Sequence, residues 1–133
     1  MAANTMPVIY EIHSNGKRVD VHYTGVVSPE ENLASYESYL ADPLARPVHD
    51  YFVDLSELTE IDSTFERMQN MVARLTPLYA RRAPGARTAI YAPSDTAYGV
   101  GRMFESLNSI ENNDNVGVFR VKSEAEAFLV RKE

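Results

Sequence analysis

The sequence predicts an α/β fold, in which about four helices cover a mixed, mostly parallel sheet that begins with an antiparallel hairpin. Three observations support this prediction. Apolar strand-like runs alternate with amphipathic helical runs in the order β-β-α-β-α-β-α-β-α. Asn15-Gly16 separates the first two alternating runs, and Ser28-Pro29-Glu30-Glu31 has the form of a helix start. Strands that alternate with helices pair in parallel through right-handed crossovers.

The first element is a hairpin formed by residues 8–13 and 17–23. Asn15-Gly16 is the residue pair that a two-residue type I′ turn favours. That turn places three apolar pairs on the core side of the sheet. These pairs are Val8 with Tyr23, Tyr10 with Val21, and Ile12 with Val19. The other face carries polar residues, namely Glu11, His13, Arg18, Asp20 and His22.

The first helix begins with a capping box. Ser28 is the predicted N-cap, Pro29 occupies the first helical position, and Glu31 reaches back to complete the box. The predicted buried stripe consists of Leu33, Tyr36 and Leu40. Asp42-Pro43 should end the helix, because the residue before a proline avoids the helical conformation.

The segment from 51 to 65 contains the most specific local pattern. Residues 51–55 predict a short buried strand, and a polar turn leads to Asp62-Ser63-Thr64. A second helix is expected to start near Asp62, with Asp62 or Ser63 as its cap. Its predicted buried residues are Phe65, Met68, Val72 and Leu75. Pro77 should kink or end this helix.

Two further strand–helix pairs complete the chain. Residues 88–92 predict a strand, and a third helix follows Asp95, with Gly99 and Gly101 in its first half. Glycines there lower helix propensity, and they often permit close backbone packing or the approach of a ligand. Residues 116–121 predict the last strand, after which Ser123 and Glu126 form a second predicted capping box.

Composition narrows the class of protein. With 133 residues, a single domain over 8–133 after a flexible N-terminus at 1–7 is expected. The absence of cysteine excludes disulfides and thiolate chemistry. A net charge of −6 disfavours nucleic-acid binding. We expect a cytoplasmic protein, because neither a signal peptide nor a membrane-spanning run is present.

The order of elements resembles the STAS fold of the SpoIIAA-like anti-sigma-factor antagonists. Residues 92–105, followed by Val118-Phe-Arg and residues 124–129, resemble a bacterial group of STAS/SEC14-like proteins of uncharacterised role. A Tyr-Gly-x-x-Arg-Met-like helix start is typical of that group and is matched here at Tyr98, Gly99 and Arg102. The resemblance implies a regulatory or protein-interaction module.

The same resemblance implies a phosphorylation switch. In the antagonists, an Asp-Ser-Ser-Gly-like motif opens the helix that follows the corresponding strand, and a partner kinase phosphorylates a serine in it. Asp62-Ser63-Thr64 matches by position, so Ser63 is the candidate phosphoacceptor and Asp62 and Thr64 belong to the switch loop. Phe65 replaces the motif glycine, and we expect it to cover part of the Ser63 hydroxyl. The other interpretation of this segment is an ordinary helix cap.

Two groups of cations are candidate binding residues. Arg67, Arg74 and Arg81 recur every seven residues, so they would share one ridge of a continuous helix and could meet an anionic ligand or an acidic surface. Tyr98 and Arg102 share one face of the third helix beside Gly99. Both groups also have an ordinary interpretation, as solvated helix faces whose arginines pair with local carboxylates.

No catalytic motif or cofactor motif is recognised, so neither an enzyme nor a cofactor is expected. A metal is not expected on the hairpin, since His13 and His22 would lie about 13 Å apart. An unknown protein partner or a small ligand is expected, and a homodimer stays open. The alternative function is a carrier or sensor of a small apolar or anionic ligand, as in SEC14-like proteins. The candidate cavity residues are Tyr36, Tyr39, Met68, Met71, Met103 and Phe104.

Overall fold

The computed structural model describes residues 7–109 and 115–130, the side chains of 107–109 excepted. Five strands form one sheet in the order β1-β2-β3-β4-β5. β1 (Val8–Ile12) is antiparallel to β2 (Arg18–Val27), and β3 (Asp50–Ile61), β4 (Thr88–Tyr91) and β5 (Val116–Phe119) continue in parallel. The helices are α1 (Pro29–Ala41), α2 (Phe65–Tyr79), α3 (Asp95–Ser109) and α4 (Lys122–Leu129). This element order confirms the predicted fold class.

The hairpin has the predicted register but a different turn. Val8 lies opposite Tyr23, Tyr10 opposite Val21, and Ile12 opposite Val19. The turn bond runs from the Gly16 N–H to the His13 carbonyl, so the central residues are Ser14 and Asn15 rather than Asn15 and Gly16. The Asn15 side chain accepts the Lys17 N–H at 2.9 Å, and Gly16 has φ 73°. The type I′ prediction was wrong because this local side-chain bond favours the earlier turn.

The helices occupy the two faces of the sheet unequally. α1 and α3 pack on one face, over a core that includes Val19, Leu55 and Ile90. α2 packs chiefly on α1 through Leu33, Met71 and Leu75. α4 covers part of the opposite face over Phe52 and Ala89. Right-handed crossovers between neighbouring parallel strands account for α1, α2 and α3 lying on one side.

α1 has the predicted boundaries. The Glu31 N–H donates to Ser28 Oγ at 3.1 Å, and the Ser28 N–H donates to the Glu31 carboxylate at 2.8 Å. The helix ends at Ala41, one residue before the predicted Asp42-Pro43 stop. Tyr39 and Asn32 are buried as well, which the predicted stripe of Leu33, Tyr36 and Leu40 did not include.

β2 and β3 are both longer than predicted. β3 continues to Ile61 instead of ending at Leu55, and β2 continues to Val27. Register shifts after His22 and Gly25, where Gly25 has φ 71°, change the alternation of side chains along β2. A period-two pattern is interrupted at such bulges, so the sequence did not reveal the extensions.

Three predicted termini also differ. α2 begins at Phe65 with Thr64 as its N-cap, later than the predicted start near Asp62, and it ends two residues beyond Pro77. α4 begins at Lys122 without a side-chain cap, so the capping box at Ser123 was wrong. Glu126 instead pairs with Arg18 of β2, because that guanidinium lies beside α4.

The predicted flexible N-terminus can be compared only at Pro7. The Pro7 carbonyl accepts the Thr24 N–H at 2.8 Å, so this residue is tied to β2. Residues 1–6 and 131–133 lie outside the described residues.

Candidate functional site

Parallel strands bring their connecting segments to two opposite edges of the sheet. One edge of the sheet is the side where β2, β3, β4 and β5 end and α1 to α4 begin, and we call it the carboxyl edge. The amino edge is the side where α1 and α2 end and residues 42–49 and 80–87 return to the sheet. The predicted site residues at 62–64 and 98–102 belong to the carboxyl edge, where open α/β sheets commonly bind ligands.

Ser63 lies just before α2 rather than inside its first turn. Thr64 is the N-cap, and its Oγ1 accepts the Arg67 N–H at 3.2 Å. The half-buried Ser63 donates its hydroxyl to the Thr64 carbonyl at 2.9 Å. The structure therefore gives the capping role to Thr64, while the Ser63 hydroxyl stays partly accessible beside a helix N-terminus.

Phe65 contradicts the prediction of a buried residue that covers the serine. Its surface is 77% exposed, so it projects into solvent. The reason is its level along α2. Arg67 pairs with Glu30, which lies in the first turn of α1. Phe65 is two residues before Arg67, so it lies level with the very start of α1, where that helix offers little surface to cover it.

The surroundings of Ser63 are acidic. Six exposed carboxylates lie in the last part of β3, just after it, and at the starts of α1 and α2, namely Glu30, Glu31, Glu57, Glu60, Asp62 and Glu66. Val26, which pairs with Glu60 at the end of β2, is 52% exposed. The carboxyl edge thus combines exposed apolar side chains with a surplus of negative charge.

Two of the three arginines of the predicted ridge pair with carboxylates of α1. Arg67 makes two hydrogen bonds to the Glu30 carboxylate, at 3.0 and 2.6 Å. Arg74 lies 3.3 Å from Glu37. The acids are also seven residues apart, so the two rows meet along the α1–α2 contact. The ordinary interpretation, pairing with local carboxylates, holds for both arginines, although the partners lie on α1.

The residues of the predicted patch on α3 do not form one common surface, because each has a different environment. Arg102 is exposed and lies 3.3 Å from Glu105 on its own helix, so it follows the ordinary interpretation of an arginine paired with a local carboxylate. Gly99 has open space where a Cβ would stand. Gly101 has the packing role, because a Cβ there would come within 2.9 Å of Val118 Cγ1.

Tyr98 contacts a residue that the sequence prediction missed. The Arg120 guanidinium lies 4.4 Å from the centre of the Tyr98 ring, and it donates to Asp95 at 2.9 Å. Arg120 follows β5 directly, as Asp95 follows β4 closely. Two residues at the ends of adjacent parallel strands could have suggested this pairing from the sequence.

The polar face of the hairpin forms separate pairs. His13 Nε2 lies 3.1 Å from the Asp20 carboxylate, and His22 Nδ1 lies 3.4 Å from that of Asp54. Within residues 7–109 and 115–130, no cluster of three or more histidine, cysteine, aspartate or glutamate side chains is arranged to hold a metal.

The amino edge contains a cavity of about 180 Å³ between the last turns of α1 and α2. Its lining is aromatic, aliphatic and cationic, and it consists of Tyr36, Tyr39, Leu40, Ala45, Arg46, Pro47, Tyr51, Leu78, Arg81 and Arg82. No carboxylate belongs to the lining. A smaller cavity of about 50 Å³ shares Tyr36, Tyr39 and Tyr51 and extends toward the sheet core. Of the cavity residues proposed from sequence, Tyr36 and Tyr39 take part, whereas Met71 is packed in the α1–α2 contact.

Hydrogen bonds hold the tyrosine rings of the cavity in place. The Tyr36 and Tyr51 hydroxyl oxygens are 2.8 Å apart, and the Tyr39 hydroxyl lies 2.6 Å from Nδ1 of buried His49. Burial raises the pKa of Tyr36, of Tyr39 and, most strongly, of Tyr51. The three hydroxyls are therefore neutral at physiological pH, so they add no negative charge to the cavity.

The three cavity arginines differ in their contacts. Arg82 lies 3.7 Å from the centre of the Tyr51 ring and donates to Thr88 Oγ1 and to the His49 and Arg87 carbonyls. Arg46 donates to the Pro43 and Ala45 carbonyls. Within the described residues, none of the three forms an ion pair, and the exposed Arg81 side chain forms no hydrogen bond. The lining therefore has three arginines and no carboxylate, and the nearby Asp42 carboxylate accepts the Tyr10 hydroxyl at 2.8 Å.

The fold is similar to that of solved structures. A DUF3478-family protein of Shewanella loihica with a SpoIIAA-like fold superposes with a TM-score of 0.59 at 17% identity, covering 98% of this chain and 99% of that one. The unphosphorylated anti-sigma-factor antagonist SpoIIAA matches at a TM-score of 0.46 and 15% identity, over 78% of this chain and 97% of that one. The first comparison shows that this chain has a SpoIIAA-like α/β fold.

The sequence comparisons give no family assignment. No family model matches the chain, and no curated protein matches it. Among the described residues, no helix is both long enough and apolar enough to cross a membrane.

Proposed function

We propose that this protein is a regulatory interaction module that binds a protein partner through the carboxyl edge of its SpoIIAA-like fold. The observation that carries the proposal is the exposed Phe65, next to the partly accessible Ser63 hydroxyl. Phe65 is the most exposed large hydrophobic side chain of the described residues, and Val26 on the same edge is 52% exposed. Aromatic side chains are enriched in protein interfaces, where they fill partner pockets.

The charge around Phe65 indicates the kind of partner. Glu57, Glu60, Asp62 and Glu66 are exposed on the same edge. A partner with basic residues around an apolar pocket would complement this surface. Rim charges of this kind chiefly affect the association rate, whereas the buried aromatic side chain supplies affinity.

Phosphorylation of Ser63 is the proposed switch, in line with the motif resemblance at Asp62-Ser63-Thr64. A phosphoserine adds about −1.5 to −2 charges at neutral pH. Exposed carboxylates at Asp62 and Glu66 would repel that charge, and the edge would become more strongly acidic at its centre. The modification would therefore alter the surface around Phe65 and release or exchange the partner. The proposed setting is the cytoplasm of a bacterial cell.

A photo-crosslinking experiment tests the interface. A photoreactive phenylalanine analogue is placed at position 65 of the full chain, in cells that express the protein naturally. The matched control carries the same analogue at Leu44, which is 60% exposed at the amino edge. We expect one dominant adduct from position 65, little from position 44, and loss of the adduct when Ser63→Asp is added.

The crosslinking results test the interface and the phosphorylation switch separately. Adducts of equal yield from both positions, or none from position 65, would refute the carboxyl-edge interface. An adduct that persists in full with Ser63→Asp would leave the interface intact and remove the switch. Mass spectrometry of the protein isolated from the same cells shows directly whether Ser63 carries phosphate.

A second candidate function is supported by the cavity at the amino edge. We propose, as the alternative, that the protein carries or senses a small ligand between the last turns of α1 and α2. The supporting observation is a cavity of about 180 Å³ whose lining has three arginines and no carboxylate. It is smaller than the roughly 300–1,000 Å³ of pockets that hold drug-sized ligands, so the ligand would be small. The two functions use opposite edges and do not exclude one another.

A further inference from the structure

We infer that the amino-edge cavity binds a small organic anion whose flat apolar body, about the size of one aromatic ring, carries a single carboxylate. This inference rests on the second candidate function and names its ligand class. The volume of about 180 Å³ supports the size. For comparison, an engineered apolar cavity of roughly 150 Å³ in another protein binds benzene.

The shape of the lining favours a planar body. The Tyr36 and Tyr51 rings are nearly perpendicular, at 77°, with centres 5.9 Å apart, and the Tyr39 and Tyr51 rings meet at 86°. These rings present edges and faces together, and Leu40, Pro47 and Leu78 complete the apolar walls. An aromatic ring placed among them would meet the edge-to-face contacts that aromatic pairs prefer.

The charge of the lining favours an anion. Its ionised side chains are arginines, and the tyrosine hydroxyls are neutral. The last turns of α1 and α2 direct carbonyl groups toward this edge, which by itself opposes an anion, so the arginines must supply the attraction. The Arg46 and Arg82 guanidiniums already contact loop carbonyls. Arg81 has no such contact within the described residues, so its guanidinium is the group available to bind a carboxylate in a bidentate manner.

Buried contacts keep the other cationic wall rigid. Arg82 is held against the Tyr51 ring at 3.7 Å and bonded to β4 through Thr88. Tyr39 is held through His49, whose pKa is lowered by burial, so the imidazole is neutral and adds no charge. Because these groups are positioned before a ligand arrives, little side-chain order remains to be imposed on binding.

The test uses three probes with the full chain. Benzoate carries both the ring and the carboxylate, benzamide keeps the ring without the charge, and inorganic phosphate has charge without an apolar body. Calorimetry measures affinity, and amide chemical shifts report the location. Tyrosine fluorescence gives a further signal, since the chain has no tryptophan and eight tyrosines. We expect saturable benzoate binding, at least about tenfold tighter than benzamide or phosphate, with shifts at residues 36–47 and 78–82.

Two arginine variants test the carboxylate contact. Arg81→Ala should weaken benzoate binding by about tenfold or more, the usual consequence of losing a charge-assisted hydrogen bond. Arg74→Ala is the matched control, because it removes the same charge seven residues earlier in the chain, on α2, but lies beside Glu37 and outside the cavity lining. It should leave benzoate affinity within about twofold of the wild type, since a charge outside the site is largely screened.

Several results would overturn the inference. These are absence of saturable benzoate binding at millimolar concentration, chemical shifts confined to other residues, equal affinity for benzoate and benzamide, or equal loss in the two variants. None of them bears on crosslinking at position 65, so this inference and the carboxyl-edge interface can fail separately.

Discussion

Arg67 and Arg120 at the carboxyl edge pair with carboxylates, whereas the cavity arginines at the amino edge, Arg46 and Arg82, contact carbonyl oxygens, a hydroxyl and an aromatic ring. Arg67 with Glu30 and Arg120 with Asp95 represent the first kind. Arg82 and Arg46 represent the second. Ion pairs at the carboxyl edge leave a surplus of acids, whereas none of the three cavity arginines forms an ion pair within the described residues.

The comparison also shows why charge counts along the chain mislead. The net charge of −6 and the seven-residue arginine spacing suggested one basic ridge on an acidic protein. In the structure, that ridge is divided. Arg67 and Arg74 form ion pairs with Glu30 and Glu37 of α1, and of the three only Arg81 lines the cavity. The same residue type therefore stabilises helix packing at two positions and is available for binding at the third.

The largest expected effect comes from replacing Arg82. Arg82→Met should lower the free energy of unfolding by about 2 kcal/mol, because hydrogen bonds to Thr88 and two carbonyls are lost and their acceptors are left partly buried. Arg120→Met is the counterpart at the carboxyl edge, where the guanidinium also stacks on a tyrosine but is exposed. It should cost less than about 0.5 kcal/mol. Urea unfolding measures both, and equal losses would contradict the contrast between the edges.

The next effect concerns the start of α2. Thr64→Ala should destabilise the protein by about 1 kcal/mol, the usual consequence of removing an N-cap hydroxyl. Ser63→Ala should change stability little, since its hydroxyl bonds the adjacent Thr64 carbonyl at the surface. Thermal unfolding of the two variants decides between them, and a larger loss for Ser63→Ala would assign the cap to Ser63, one of the two caps predicted from the sequence.

The smallest effect is a pH dependence at the carboxyl edge. The hydrogen bonds from Arg67 lower the pKa of Glu30 from its ordinary 4.5 to about 2. A depressed carboxyl pKa stabilises the folded state above the ordinary value, and that stabilisation is lost as the pH falls through the folded value. The small difference in melting temperature between wild type and Glu30→Gln should thus be present at pH 6 and shrink between pH 4.5 and 2. A difference that grows on acidification would disprove this linkage.

The carboxyl-edge candidates were found because they are local in sequence. Asp62, Ser63 and Thr64 lie between a strand and a helix, and that arrangement is visible as a pattern. The amino-edge cavity was visible only in part. Tyr36 and Tyr39 belong to α1, but Tyr51 and Arg82 reach the cavity from distant segments. No spacing along the chain indicates that they meet.

The sequence by itself determined the order of elements, the hairpin register and the start of α1, because each depends on residues within a few positions of one another. Tertiary structure decided the length of β3, the exposure of Phe65, the partners of the arginines and the existence of the cavity. Turns, caps and side-chain alternation are short-range energies that a local pattern records. Burial and ion pairing depend on which distant elements pack together, and a helix face has the same sequence whether or not a neighbour covers it.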